Sequence, residues 1–151
     1  MRRIVIAAAA AATLACGPAP QPAQQPKPAV EQTTLPWYRQ STEELAAFNR
    51  QAEELFQDGQ FQQAAAIIGQ TQPLADKLLT VSRPTLEAME ATSDHDALYG
   101  RMLLHNGQIG WARMTFQKNV VRWRAWKPQT PETEARAKAA ADAVADCDKR
   151  M

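Results

Sequence analysis

The chain has 151 residues, 45% hydrophobic and 22% charged, with 17 basic and 16 acidic side chains. That is ordinary globular composition for at most one domain, and it excludes a disordered polyelectrolyte. Six of the ten prolines fall between Pro18 and Pro36, which leaves about 110 foldable residues and no room for a two-domain enzyme with a cofactor-binding half. Near-zero net charge argues against a general nucleic-acid binder, so no nucleic-acid partner is expected.

Met1, Arg2 and Arg3 form a short positive segment, Ile4 to Ala12 an apolar run, and Thr13-Leu14-Ala15 end it on a small residue just before Cys16. Residues 1–15 therefore read as a cleaved export signal, too short to span a bilayer as a mature anchor. In this stretch the chain resembles bacterial lipoproteins, whose lipobox places a small residue immediately before the cysteine that is lipidated. The resemblance implies Cys16 as the lipidation site and attachment to a membrane through that N-terminal lipid. Gly17 stands where the family's inner-membrane retention signal is often an aspartate, which implies the outer membrane and a domain facing the periplasm. A plain secretory signal cut after Ala15 or Ala19 is the alternative reading. With Cys16 lipidated, Cys147 has no intramolecular partner, and no disulfide framework is available.

From residue 16 to residue 40 the composition is rich in proline and glutamine and poor in large apolar side chains. This predicts a disordered, polyproline-like tether reaching roughly 60 to 70 Å. Trp37 and Tyr38 mark the approach to the ordered domain, assigned to 41–151.

Beyond the tether no β-branched or aromatic run alternates with period two, and every periodic segment is helical. Ser41-Thr42-Glu43-Glu44 reads as a capping box, followed by an apolar stripe of Leu45, Phe48, Ala52, Leu55 and Phe56 that Asp58-Gly59 interrupts. A second helix starts at Gln60. Pro73 and Pro84 predict two short pieces, 73–81 and 84–92, because proline is tolerated mainly in first turns. Ser93-Asp94-His95-Asp96 reads as a further helix start running to about Asn106. Gly107 breaks it, 109–126 continues as a long helix, and Thr130-Pro131 opens a last one, 131–149. The fold class is all-α.

Two glycine turns share an ordered set of steps. Ala52, Leu55, Gly59, Phe61, Ala64 and Ile68 recur, 48 residues on, as Gly100, Leu103, Gly107, Ile109, Ala112 and Phe116. Small members permit close helix approach, glycines permit the reversal, and large members fill the space between. This order resembles the tetratricopeptide repeat, a unit of about 34 residues. It implies antiparallel helix hairpins with repeat-like units at 45–78 and 93–126, closed by a C-terminal capping helix. The offset exceeds the family's period, and the family's late alanine is Thr71 in one unit and Asn119 in the other. An unrelated bundle of four to six helices is the alternative. In the last helix Ala137, Ala140, Val144, Cys147 and Met151 form a seam suited to close contact, with Cys147 a small buried hydrophobe.

Charge is segregated: residues 41–96 hold ten acids and three bases, whereas 97–131 hold six bases and no acid. Trp111, Trp123 and Trp126 interleave with those bases. Arg113, Lys118 and Arg122 are expected to form one patch which, with Trp123 and Trp126, contacts a partner such as an acidic peptide, an anionic headgroup or a cell-wall glycan peptide. The alternative is that Trp123 and Trp126 are core at helical spacing, with the bases a solvated face or paired with the acidic half.

Catalytic patterns are thin. Ser41, Ser82 and Ser93 sit in no nucleophile context, there is no phosphate-binding glycine loop, and no HExxH or CxxC occurs. Neither a metal site nor a cofactor is expected, and the chain is read as a non-enzyme. The leading expectation is a membrane-anchored periplasmic module that docks an envelope protein or peptide; the second is a structural tether gripping peptidoglycan or an anionic surface through 101–127. Oligomeric state is not legible.

Overall fold

A computed structural model describes residues 31–151, and Glu31–Met151 form one unit. The expected signal peptide, the Cys16 lipidation site and the tether as far as residue 30 lie outside the described residues. The fold is all-α. A 3-10 turn, Gln32–Thr34, precedes α1 (Pro36–Gln57), α2 (Phe61–Leu78), α3 (Leu86–His105), α4 (Ile109–Ala125) and α5 (Pro131–Arg150), and no strand occurs among the described residues. Helices α1 and α2 pack as one hairpin and α3 and α4 as another; α3 also packs on α1 and α2, and α5 lies along α4.

The two glycine corners have the same geometry. Gly59 and Gly107 adopt φ of 76° and 72°, a left-handed conformation that costs glycine little because it has no β-carbon. Gln60 N–H donates to the Leu55 carbonyl over 2.8 Å, and Gln108 N–H donates to the Leu103 carbonyl over the same distance. These bonds satisfy carbonyls that the helix ends would otherwise leave without donors. Each corner reverses the chain within three residues and sets the following helix antiparallel.

Packing between the helices follows the small and large steps. Ala52, Ala64 and Ile68 are buried together with Leu98 and Met102 of α3. In the second hairpin, Leu103, Ala112, Phe116 and Val120 are buried against Ala140, Val144 and Cys147 of α5. Burial pushes the Cys147 thiol up, away from the reactive thiolate. A third cluster joins Tyr38 and Leu45 of α1 to Leu78, Val81 and Ala88. Thr130 caps α5, its side chain and that of Thr133 bonding reciprocally to each other's backbone N–H.

Five sequence expectations are corrected. Helix α1 begins at Pro36, not at Ser41: proline occupies its first turn, and Tyr38, buried at 1% exposure, extends the apolar stripe two turns back from Leu45. Ser41 and Thr42 are buried inside the helix, with the Thr42 hydroxyl donating to the Tyr38 carbonyl. Pro73 does not open a new piece but lies within α2, and 84–92 joins 93–105 in the single helix α3, capped by Thr85. Ser93-Asp94-His95-Asp96 is mid-helix, where Ser93, His95 and Asp96 are buried and bonded to neighbouring helices rather than capping a helix end. Met151 is exposed and leaves the α5 seam at Cys147.

Candidate functional site

The middle of α3 is a polar hub. Asn49 of α1 donates to the Ala91 carbonyl over 2.7 Å, and Asn119 of α4 donates to the Ser93 carbonyl over 2.8 Å. His95, fully buried, faces α2, with Nε2 3.1 Å from both the Ile68 carbonyl and the Thr71 hydroxyl. The carbonyl requires Nε2 to donate, which leaves Nδ1 unprotonated; that atom is buried without a partner. Burial holds the imidazole below its ordinary pKa. Arg122 of α4 reaches Asp96 over 2.9 Å, Asn119 over 2.6 Å and the Ser93 hydroxyl over 3.2 Å. One stretch of α3 thus ties α1, α2 and α4 together.

Beside the hub, α3 borders two adjoining grooves and contributes Asp94, Ala97 and Arg101 to both. The first, about 560 Å³, lies against α1 and is edged by the charged and polar side chains of Arg50, Glu53, Glu54 and Gln57. Arg101 forks onto both oxygens of Glu53 across it. Burial would raise the Glu53 carboxyl, but the bonds from Arg101 and Gln57 outweigh it and hold the pKa below the usual range. The second groove, about 350 Å³, separates α3 from α5. Leu104, Phe116 and Trp123 line it along with Ala139, Ala140 and Ala143, and Asp94, Arg101, Arg136 and Asp146 edge it. At one end Arg136 bridges α5 to α3, 2.8 Å from Asp94 and 3.4 Å from Glu90, with its guanidinium over the Trp123 ring. The alanines of α5 keep the remainder open. Together α1, α3 and α5 present one grooved face with an apolar half and a charged half.

The expected partner-binding residues do not come together. Arg113 and Arg122 are nine residues apart, two and a half turns, so they leave α4 on opposite sides. Arg113 pairs with Asp148 of α5 over 2.5 Å, and Arg122, with its side chain 12% exposed, pairs with Asp96 of α3. Lys118 is exposed, Trp126 is half-buried at the end of α4, and Trp123 is buried at 1% exposure. The expected single cationic patch of Arg113, Lys118 and Arg122 is corrected accordingly: Asp148 of α5 neutralises one of its members and Asp96, from the acidic half of the chain, another. Sequence reasoning missed Ala97 on α3 and Ala139 and Ala143 on α5; the four-residue spacing of the last two was visible, but not that α3 would stand off from α5.

Among the described residues no cluster of three or more His, Cys, Asp or Glu side chains is placed to hold a metal ion, and no helix is long and apolar enough to cross a membrane. No protein-family model, curated protein or solved structure matches the chain.

Proposed function

We propose that the chain is a non-catalytic interaction module of the bacterial cell envelope, anchored by lipid on Cys16 in the outer membrane and facing the periplasm. On this reading the hairpins are two tetratricopeptide-like units, α5 is the capping helix, and the face formed by α1, α3 and α5 receives an envelope protein or peptide. The observation that carries it is the pair of equivalent glycine corners. Each folds a like hairpin, and the grooves beside α3 run along the first helix of each hairpin together with α5. The apolar groove between α3 and α5 suits small aliphatic side chains of a bound segment, and the mixed charges along both grooves suit a partner carrying both signs.

The second reading, a tether that grips peptidoglycan through the bases of 101–127, draws less support. Arg101, Arg113 and Arg122 are each engaged by a carboxylate of the same chain. Two measurements test the proposal. Mass spectrometry of the mature N-terminus should find acyl groups on Cys16, absent in Cys16→Ser. Ala143→Trp should fill the α3/α5 groove and lose the partner that co-purifies with wild type from solubilised envelopes. Retention of that partner, or sedimentation of the chain with purified sacculi, would overturn the groove reading.

A further inference from the structure

Helix α4 has two unlike sides. Phe116, Asn119 and Trp123 face the α3/α5 groove. At 3.6 residues per turn, Trp111, Met114, Lys118 and Val121 rise on the opposite side as one stripe. Trp111, Met114 and Val121 are 65%, 59% and 60% exposed, an unusual concentration of large apolar surface on one helix. The fold does not require it: α2, the corresponding helix of the first hairpin, exposes Gln62, Ala65, Ala66, Gly69 and Gln70. The stripe lies in the acid-free stretch 97–131, with Lys118 in its middle and Arg124 and Lys127 at its C-terminal end. None of these three bases forms an ion pair among the described residues.

We infer that this side of α4 rests on an anionic phospholipid surface. Trp111, Met114 and Val121 enter the boundary between headgroups and acyl chains, where tryptophan is favoured, and Lys118, Arg124 and Lys127 meet the phosphates. A protein partner fits less well. Three side chains along about 15 Å of helix fall short of the roughly 800 Å² per partner that a specific interface buries, whereas a bilayer needs no matching pocket. A second copy across a two-fold axis would set the same bases against each other. The lipid on Cys16, which belongs to the function proposed above, would strengthen the contact: the chain from Cys16 to Glu31 reaches at most roughly 50 Å, so a weak surface suffices at high effective concentration. Resting on α4 leaves the α3/α5 groove directed away from the bilayer and open to a partner.

The test uses the full chain with Cys16→Ser, so that its outcome is independent of lipidation. A polarity-sensitive fluorophore is placed at Val121→Cys or, as control, at Gln63→Cys on the exposed side of α2; Cys147 is buried and stays unlabelled. Vesicles of phosphatidylglycerol and phosphatidylcholine should raise and blue-shift emission at position 121 several-fold, with little change at 63. Phosphatidylcholine alone should not, and Lys118→Glu with Arg124→Glu should abolish the response while leaving the circular dichroism unchanged. No response at 121, or an equal one at 63, would overturn the inference. So would a response without vesicles that grows with protein concentration, which marks self-association, or one elicited by an acidic polypeptide in place of vesicles.

Discussion

Cε1 of Phe116 lies 2.5 Å from where the β-carbon of any larger residue at position 100 would stand, so the ring fills the space that Gly100 leaves open. At the corresponding positions of the first hairpin, Ala52 meets Ile68 within one buried cluster. The two hairpins divide similar volume differently: glycine with a ring in one, alanine with a branched aliphatic in the other.

Gly100→Ala should therefore destabilise by about 1–3 kcal/mol through overpacking, despite alanine's better helix propensity. Adding Phe116→Ile, which installs the first hairpin's pairing, should recover much of that loss. Denaturant unfolding of the two single variants and the double variant checks it; additive losses would show that the two positions are not coupled.

Gly59→Ala and Gly107→Ala should each cost about 1 kcal/mol, and by nearly equal amounts. Nothing lies within 4 Å of a β-carbon at either site, so the penalty is that of positive φ alone. Melting temperatures that fall in only one of the two variants would contradict the equivalence of the corners.

Arg122→Met should destabilise by about 3–5 kcal/mol, because Asp96, with its side chain 8% exposed, would keep a buried charge without its partner. Charge reversal at Arg122 should be worse still, so it cannot serve as a fold-neutral probe of binding. Replacing both residues, Arg122→Met with Asp96→Leu, should be milder than Arg122→Met alone in the same unfolding experiment.

Acid should weaken the α2–α3 contact through His95. Its folded pKa lies below the unfolded value of about 6.5, so below that pH the unfolded chain binds the extra proton and the folded one resists it. Stability should be level in this respect above pH 6.5 and decline as pH falls below it. His95→Gln, which keeps a donor for the Ile68 carbonyl but cannot titrate, should flatten that part of the profile in pH-dependent unfolding; an unchanged slope would assign the loss to other groups.

The hairpins were legible in the sequence because their determinants are local: a glycine corner, with small and large residues at fixed steps on either side, specifies its own two helices. Helix starts were less so. Ser41 and Ser93 carry cap-like neighbours, but Pro36 with the buried Tyr38, and Thr85 after Pro84, set the true starts. Capping preference is a weak local term that tertiary burial overrides. The polar run Ser93 to Asp96 is a hub only because Asn119, Arg122 and Thr71 arrive from other helices. The groove was invisible for a related reason. It exists because α5 follows α4 while standing off from α3, a relation between segments some forty residues apart that no residue spacing encodes.

The most direct test of the interaction reading is site-specific photo-crosslinking in the native cell envelope, with a photoreactive side chain at Ala97 or Ala143 in the grooves and at Gln63 on the far side as control. A single discrete protein adduct shared by the two groove positions and absent from Gln63 is the predicted result. No adduct from the grooves, or the same pattern from all three positions, would contradict it.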